Sequence, residues 1–192
     1  MRFRDMCRPP DRPVPAFAEY KGNLYMIRNA CTTNMINMAC TTNGTNSCTD
    51  DVSCPSGSEI WQLWKCVPGA DGDCDKADWS LVMQRSSSAS PVTTETDIRE
   101  RDNIAATMLV ANGDYLYVGF DNLSSTGLEI WRTNDSTANG PDSYGDFSQI
   151  GGDGLGYPSI YKRLWSAITI SDGSYHYIYV SAGNTSQPVA IF

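Results

Sequence analysis

One three-part phrase is written twice along this chain and begun a third time, and it restricts the fold more than any composition does. The first copy runs Lys21-Gly22-Asn23-Leu24-Tyr25, then Ser58-Glu59-Ile60-Trp61, then Asp78-Trp79-Ser80-Leu81-Val82. The second runs Asn112-Gly113-Asp114-Tyr115-Leu116-Tyr117, then Leu128-Glu129-Ile130-Trp131-Arg132, then Asp146-Phe147-Ser148-Gln149-Ile150. The third opens with Asp172-Gly173-Ser174 and Tyr177-Ile178-Tyr179-Val180 and reaches Ala190-Ile191-Phe192. A fixed unit of this kind marks a repeat architecture.

Each copy begins with an apolar or β-branched run, Ala16 to Tyr20, Thr107 to Ala111 and Ala167 to Ser171. A short turn follows, Lys21-Gly22, Asn112-Gly113 or Asp172-Gly173, and then a second run. Asn-Gly and Asp-Gly between such runs predict hairpins, because a type I′ turn needs positive φ at both central residues. The Glu-Ile-Trp strings read as third strands, and Asp-Trp-Ser-Leu-Val and Asp-Phe-Ser-Gln-Ile as fourth strands. No long window keeps a 3.6-residue apolar period, so helix should be nearly absent. The chain is therefore all-β, in tandem four-stranded antiparallel meanders.

Such meanders in tandem suggest blades of a β-propeller, here a partial one. Ala16, Ala18, Ala105, Ala106, Ser166 and Ala167 would supply the small residues that a crowded innermost strand needs. A β-sandwich or β-solenoid made of the same hairpins is the alternative. Spacing sets the organisation: Gly113 to Gly173 is 60 residues, but Gly22 to Gly113 is 91. Most of the excess lies between Tyr25 and Trp61. This gives an N-terminal extension 1–13, a first unit 14–83 with a Cys-rich insertion 31–54, and a polar linker 84–102. A second unit covers 103–150 and an incomplete third 151–192. Two and a half units cannot close a ring, and Phe192 stands inside a third strand. A longer polypeptide or a neighbouring chain is expected to complete the sheet.

A net charge of −8 argues against nucleic acid, since phosphate binding needs clustered Lys and Arg. No apolar stretch approaches about 18 residues, so no transmembrane helix is expected. The start, Met1 to Cys7, lacks the apolar region of a signal peptide. Cysteine usage points to export all the same. Cys31, Cys40, Cys48, Cys54, Cys66 and Cys74 fall within 44 residues rich in Asn, Thr, Ser and Gly. Such loops bury little apolar surface, and disulfides are the usual remedy in an oxidising compartment. Zinc fits poorly: no Cys-x2-Cys pair exists, and the only histidine is the distant His176. Cys66 with Cys74 would close the turn between strands three and four. Cys31 with Cys54, and Cys40 with Cys48, would staple the insertion, although four cysteines allow three pairings. Cys7 is left over.

Asp71, Asp73, Asp75 and Asp78 alternate through a Gly-containing loop that can converge oxygens on calcium. The competing reading is a polar hairpin loop whose carboxylates cap turns. Catalysis has little to stand on, and no catalytic residue is assigned. A Ser-His-Asp arrangement would need His176, which sits between tyrosines where a packed or surface imidazole is expected. Glu59 and Glu129 occupy equivalent string positions, which implies a structural task, not paired glycosidase acids. Trp61, Trp79 and Trp131 recur and should pack. Trp64 and Trp165 do not recur cleanly and are the candidates for ligand contact. Sequons at Asn43, Asn122, Asn134 and Asn184 matter only in a host that glycosylates.

Gly127 to Arg132, Gly-x-Glu-Ile-Trp-Arg, preceded by Leu-Tyr-Val-Gly at Leu116 to Gly119, resembles the β-propeller repeats of secreted bacterial proteins. The resemblance spans roughly residues 14–192 and implies the fold, with almost nothing about activity. The Gly-His and Trp-Asp marks of WD40 repeats and the Ser-x-Asp-x-Gly-x-x-Trp box of sialidase-type propellers are missing. The expected function is a non-enzymatic binding or adhesion module, extracellular, periplasmic or on a cell surface, with a protein or glycan surface as partner. The alternatives are a glycoside hydrolase-like carbohydrate-active enzyme and a structural subunit of a surface assembly. A large apolar face or a sheet shared with another chain would favour the assembly.

Overall fold

The computed structural model describes residues 16–31, 59–85, 97–99, 102–134, 139–184 and 187–192. The extension 1–13, Cys7, Asn43, Cys40, Cys48, Cys54 and most of the linker lie outside the described residues, as does the side chain of Cys31. Among the described residues eleven strands form three antiparallel meanders. Sheet 1 is β1 (Ala16–Tyr20), β2 (Asn23–Cys31), β3 (Glu59–Cys66) and β4 (Trp79–Gln84). Sheet 2 is β5 (Asn103–Asn112), β6 (Tyr115–Asn122), β7 (Glu129–Thr133) and β8 (Phe147–Ile150). Sheet 3 has three strands: β9 (Arg163–Ser171), β10 (His176–Asn184) and β11 (Gln187–Ile191). Helix among the described residues is limited to 3-10 turns at Lys76–Asp78, Tyr144–Asp146 and Asp153–Gly156.

The hairpins form at the expected places, but their chemistry differs from copy to copy. Lys21 and Gly22 have φ of 50° and 74°, so the first is the type I′ turn that the sequence asked for. In the second, Asn112 pairs with Tyr115, so the central residues are Gly113 and Asp114. Only Gly113 has positive φ, at 59°, which fits a type II′ turn. In the third, Ser171 pairs with His176 across a four-residue loop. There the Asp172 carboxylate accepts the backbone N–H groups of Ser174 and Tyr175, at 2.9 and 2.8 Å. Those two donors hold its carboxyl below the ordinary carboxylate range. Asp172 thus builds a side-chain-held loop where a two-residue turn was expected.

The three sheets stack in chain order, with β5 lying against sheet 1 and against β9. Each sheet has a forward face, turned towards the next sheet, and a rear face. On sheet 1 the forward face carries Tyr25, Ile27, Trp61, Leu63 and Met83. It meets Leu109, Leu116, Val118, Phe120 and Trp131 on the rear of sheet 2. On sheet 2 the forward face carries Met108 and Ile130, which meet Leu164, Val180 and Ala182 on the rear of sheet 3. Gly119 permits the second approach, because a Cβ there would strike the Leu164 side chain. Burying these rows is the main cohesive force, roughly 1.5–3 kcal/mol for each large side chain fully removed from water.

Register shows which residues are equivalent between copies. Trp64 pairs with Met26, Trp131 with Val118, and Phe192 exchanges two backbone hydrogen bonds with Val180, at 3.1 and 3.0 Å. The three partners all lie on rear faces, so Trp64, Trp131 and Phe192 occupy one repeat position. This corrects the reading that Trp61 recurs and Trp64 does not. Two hydrogen bonds agree: Trp64 Nε1 donates to Gln62 Oε1 at 3.0 Å, and Trp131 Nε1 donates to Glu129 Oε2 at 2.8 Å. Gln62, not Glu59, is therefore the counterpart of Glu129. The same register sets Ala16 and Ala18 against Met108 and Val110 in sheet 2 and against Ser166 and Ile168 in sheet 3, so a small residue recurs at the Ala16 position in sheet 3 but not in sheet 2.

A polar clasp crosses each interface at equivalent points. Asn29 donates to the Ala106 carbonyl at 3.0 Å and accepts the Ala106 N–H at 3.1 Å. One copy later, the Asp121 carboxylate accepts the Leu164 N–H at 2.9 Å. These bonds fix how far one sheet slides on the next, which apolar contact alone leaves loose.

Candidate functional site

The acidic loop is built for its own backbone. Asp71 Oδ1 accepts the N–H of Asp73 at 3.1 Å, and Asp78 Oδ2 accepts that of Asp75 at 2.8 Å. The equivalent Asp146 accepts the N–H of Ser143 at 2.9 Å. In both units the N–H just after the third strand, Val67 or Asn134, reaches the carbonyl of that same aspartate. Residues repeated in this way serve the 3-10 turn that launches the fourth strand. Among the described residues no three Asp, Glu, His or Cys side chains converge as metal ligands would, so Asp71, Asp73, Asp75 and Asp78 are not brought together as the calcium expectation required. The disulfide between Cys66 and Cys74 closes this loop, with Cα atoms 6.0 Å apart.

Glu129 and His176 are placed away from any common site, and the side chain of Glu59 lies outside the described residues. Glu129 is buried, and its Oε2 also accepts from Asn103 Nδ2 at 2.9 Å. The Asn103 carbonyl in turn accepts Trp61 Nε1 at 2.8 Å. This network joins sheets 1 and 2 inside the core, out of a substrate's reach. His176 lies exposed at the start of β10, its ring against the Gly113 turn. Asn122 is fully buried and donates to Asn103 at 3.2 Å, so its sequon cannot carry a glycan on the folded chain.

The surface that stands out is the forward face of sheet 3. Ile168 and Ile170 on β9 pair with Tyr179 and Tyr177 on β10, and Ile191 on β11 joins the same side. All five are exposed, Ile191 to 76%. Tyr175, Tyr177 and Tyr179 form a ladder along the strand, with neighbouring ring centroids 6.2 and 6.4 Å apart. Trp165 is 54% exposed in the same sheet, at the β-bulge between the Ser166 and Leu164 pairs. Of the two tryptophans picked out from the sequence, then, Trp165 is open, and Trp64 is half-buried and tied to Gln62. The sequence reading missed the tyrosine–isoleucine face because Ile-x-Ile and Tyr-x-Tyr are also what a covered strand looks like. Only the stacking order shows that nothing in the described residues lies over it.

Chemically such a face can desolvate and dock, with phenol groups at its surface for hydrogen bonds. No helix among the described residues is long and apolar enough to cross a membrane. Comparison with family models, curated proteins and solved structures found no match to this chain. The class defined on these grounds is an all-β chain of three stacked antiparallel meanders.

Proposed function

We propose that this chain is a non-enzymatic extracellular binding module made of propeller-type blades, and that it binds through the forward face of sheet 3. The observation that carries the reading is the exposed row of Ile168, Ile170, Tyr177, Tyr179 and Ile191 on a rigid sheet. Contiguous apolar surface of this kind marks interaction sites, and tyrosine is enriched in them. Stacked meanders whose first strands β1, β5 and β9 lie side by side support the blade interpretation. The Cys66–Cys74 disulfide supports an oxidising, extracellular setting. An apolar face favours a protein surface over a glycan as partner, and with it a place in a surface assembly.

The test uses an apolar dye whose fluorescence rises on exposed hydrophobic surface. Folded protein should bind it, and Tyr179→Asp should remove most of that signal while the melting transition stays cooperative. A signal indifferent to Tyr179→Asp would move the binding surface elsewhere. Turnover on a panel of glycans, lost when a carboxylate is substituted, would replace the module with a carbohydrate-active enzyme.

A further inference from the structure

We infer that the open edge of β11 and the Arg132 side chain together receive one acidic loop-and-strand segment of another polypeptide, of the kind this chain carries at residues 139–152. Two equivalences, on two different sheets, point to the same occupant. The first is on sheet 3. The residues just before Trp64, Trp131 and Phe192 are Leu63, Ile130 and Ile191. Leu63 pairs with Met83 on β4 and Ile130 with Ile150 on β8, and the two are 0% and 6% exposed. Ile191, on a strand that is the edge of its sheet among the described residues, is 76% exposed. Phe192 uses both backbone groups on Val180, so ladder alternation turns the N–H and C=O of Ile191 outward, away from β10. On sheet 1 the matching stretch, Gln62 to Trp64, is paired by Leu81 to Gln84 of the fourth strand. An edge whose ladder groups stand open is what an added strand takes.

The second equivalence is on sheet 2. The residues just after Trp64 and Trp131 are Lys65 and Arg132, paired with the equivalent tyrosines Tyr25 and Tyr117, a series that Tyr179 continues in sheet 3. Lys65 is 3% exposed and donates to Asp142 Oδ1 at 2.8 Å and to the Asn139 carbonyl at 2.9 Å. Both acceptors belong to the loop that leads into β8. The loop feeding a fourth strand thus also clamps a cation on the preceding sheet. Arg132 is that cation one sheet on. It lies half-buried over the Tyr115 ring, 4.2 Å from the centroid, and no carboxylate among the described residues forms an ion pair with it. A segment pairing with β11 would bring its preceding loop to Arg132, as β8 brings Asp142 to Lys65. The occupant is therefore specified at both ends. It needs an aspartate for the guanidinium, a pairing that guanidinium geometry favours. It also needs an apolar residue opposite Ile191, and in the template Asp142 and Ile150 stand eight residues apart.

The test titrates the whole chain into a fluorescently labelled synthetic peptide with the sequence of residues 139–152 and follows its anisotropy. Saturable binding is expected. Arg132→Gln in the chain, or Asp142→Asn in the peptide, should each weaken it about tenfold, and the two together no further than either alone. The peptide variant needs no change to the folded chain, so it stands even if Arg132→Gln impairs folding. N-methylation of the peptide at Ile150, which removes the N–H aimed at β11, should weaken binding as much. Tyr179→Asp should leave the peptide's affinity unchanged, so this edge and the forward face of sheet 3 can fail separately. No saturation up to about 1 mM chain overturns the inference. Equal binding of a scrambled peptide, or indifference to both Arg132→Gln and Asp142→Asn, overturns it too. Binding lost on Tyr179→Asp would put the peptide on the forward face and overturn it as well.

Discussion

Two buried polar groups give the sharpest predictions at the scale of single residues. Among the described residues the Tyr25 hydroxyl has no hydrogen-bond partner, and burial, with the Asp142 carboxylate nearby, pushes the phenol's pKa up. It lies against Gly140, where any side chain would collide with it. Tyr25→Phe removes an unsatisfied donor and should raise stability by about 1 kcal/mol in denaturant melts. Asp121 differs in kind. Burial raises its carboxyl pKa, partly offset by the Leu164 N–H and by Arg163. The folded state therefore holds this proton more tightly than the unfolded chain does. The stability it contributes is greatest at low pH and declines as pH rises through the raised pKa, then levels off. Asp121→Asn should flatten that decline, which begins at the ordinary aspartate pKa and runs upward from there, and keep the clasp, as Asn29 does one copy earlier. Asp121→Ala should cost about 1–3 kcal/mol, because the Leu164 N–H is left buried without an acceptor. Equal stability of the Asn and Ala variants would deny the clasp.

Among elements, the loop between β3 and β4 is held by two devices, the Cys66–Cys74 bridge and the Asp78 cap. Replacing both cysteines by serine should lower stability by about 2–3 kcal/mol, as expected for a short closed loop. Asp146→Ala, which removes the equivalent cap in the loop without a disulfide among the described residues, should cost about 1 kcal/mol. The strands and their hairpins were legible in the sequence, since runs bounded by Gly-containing turns carry their own local signal. The pairing register was not. Glu59-Ile60-Trp61 matches Glu129-Ile130-Trp131 letter for letter, yet the ladder seats Gln62-Leu63-Trp64 in that place, three residues on. Register follows from the hairpin and from which face is buried, and a string comparison contains neither. The Asn29 and Asp121 clasps escaped notice for a related reason, because their partners belong to a different sheet. The acidic loop looked like a cation site because alternating aspartates fit both a metal and a set of turn caps.

As a whole molecule the chain is a stack with direction: the forward faces of sheets 1 and 2 meet the rear faces of sheets 2 and 3. The propeller interpretation is a proposal built on that stack, whereas the export setting is a proposal that rests on the Cys66–Cys74 disulfide. The stack itself is most directly tested by hydroxyl-radical footprinting of dilute protein, read residue by residue by mass spectrometry. The account predicts rapid modification of Tyr177, Tyr179 and Trp165, with Tyr25, Trp61 and Trp131 protected. Tyr25 and Tyr179 reacting at similar rates would contradict it, because equivalent tyrosines would then be equally covered and the directional stack would be wrong.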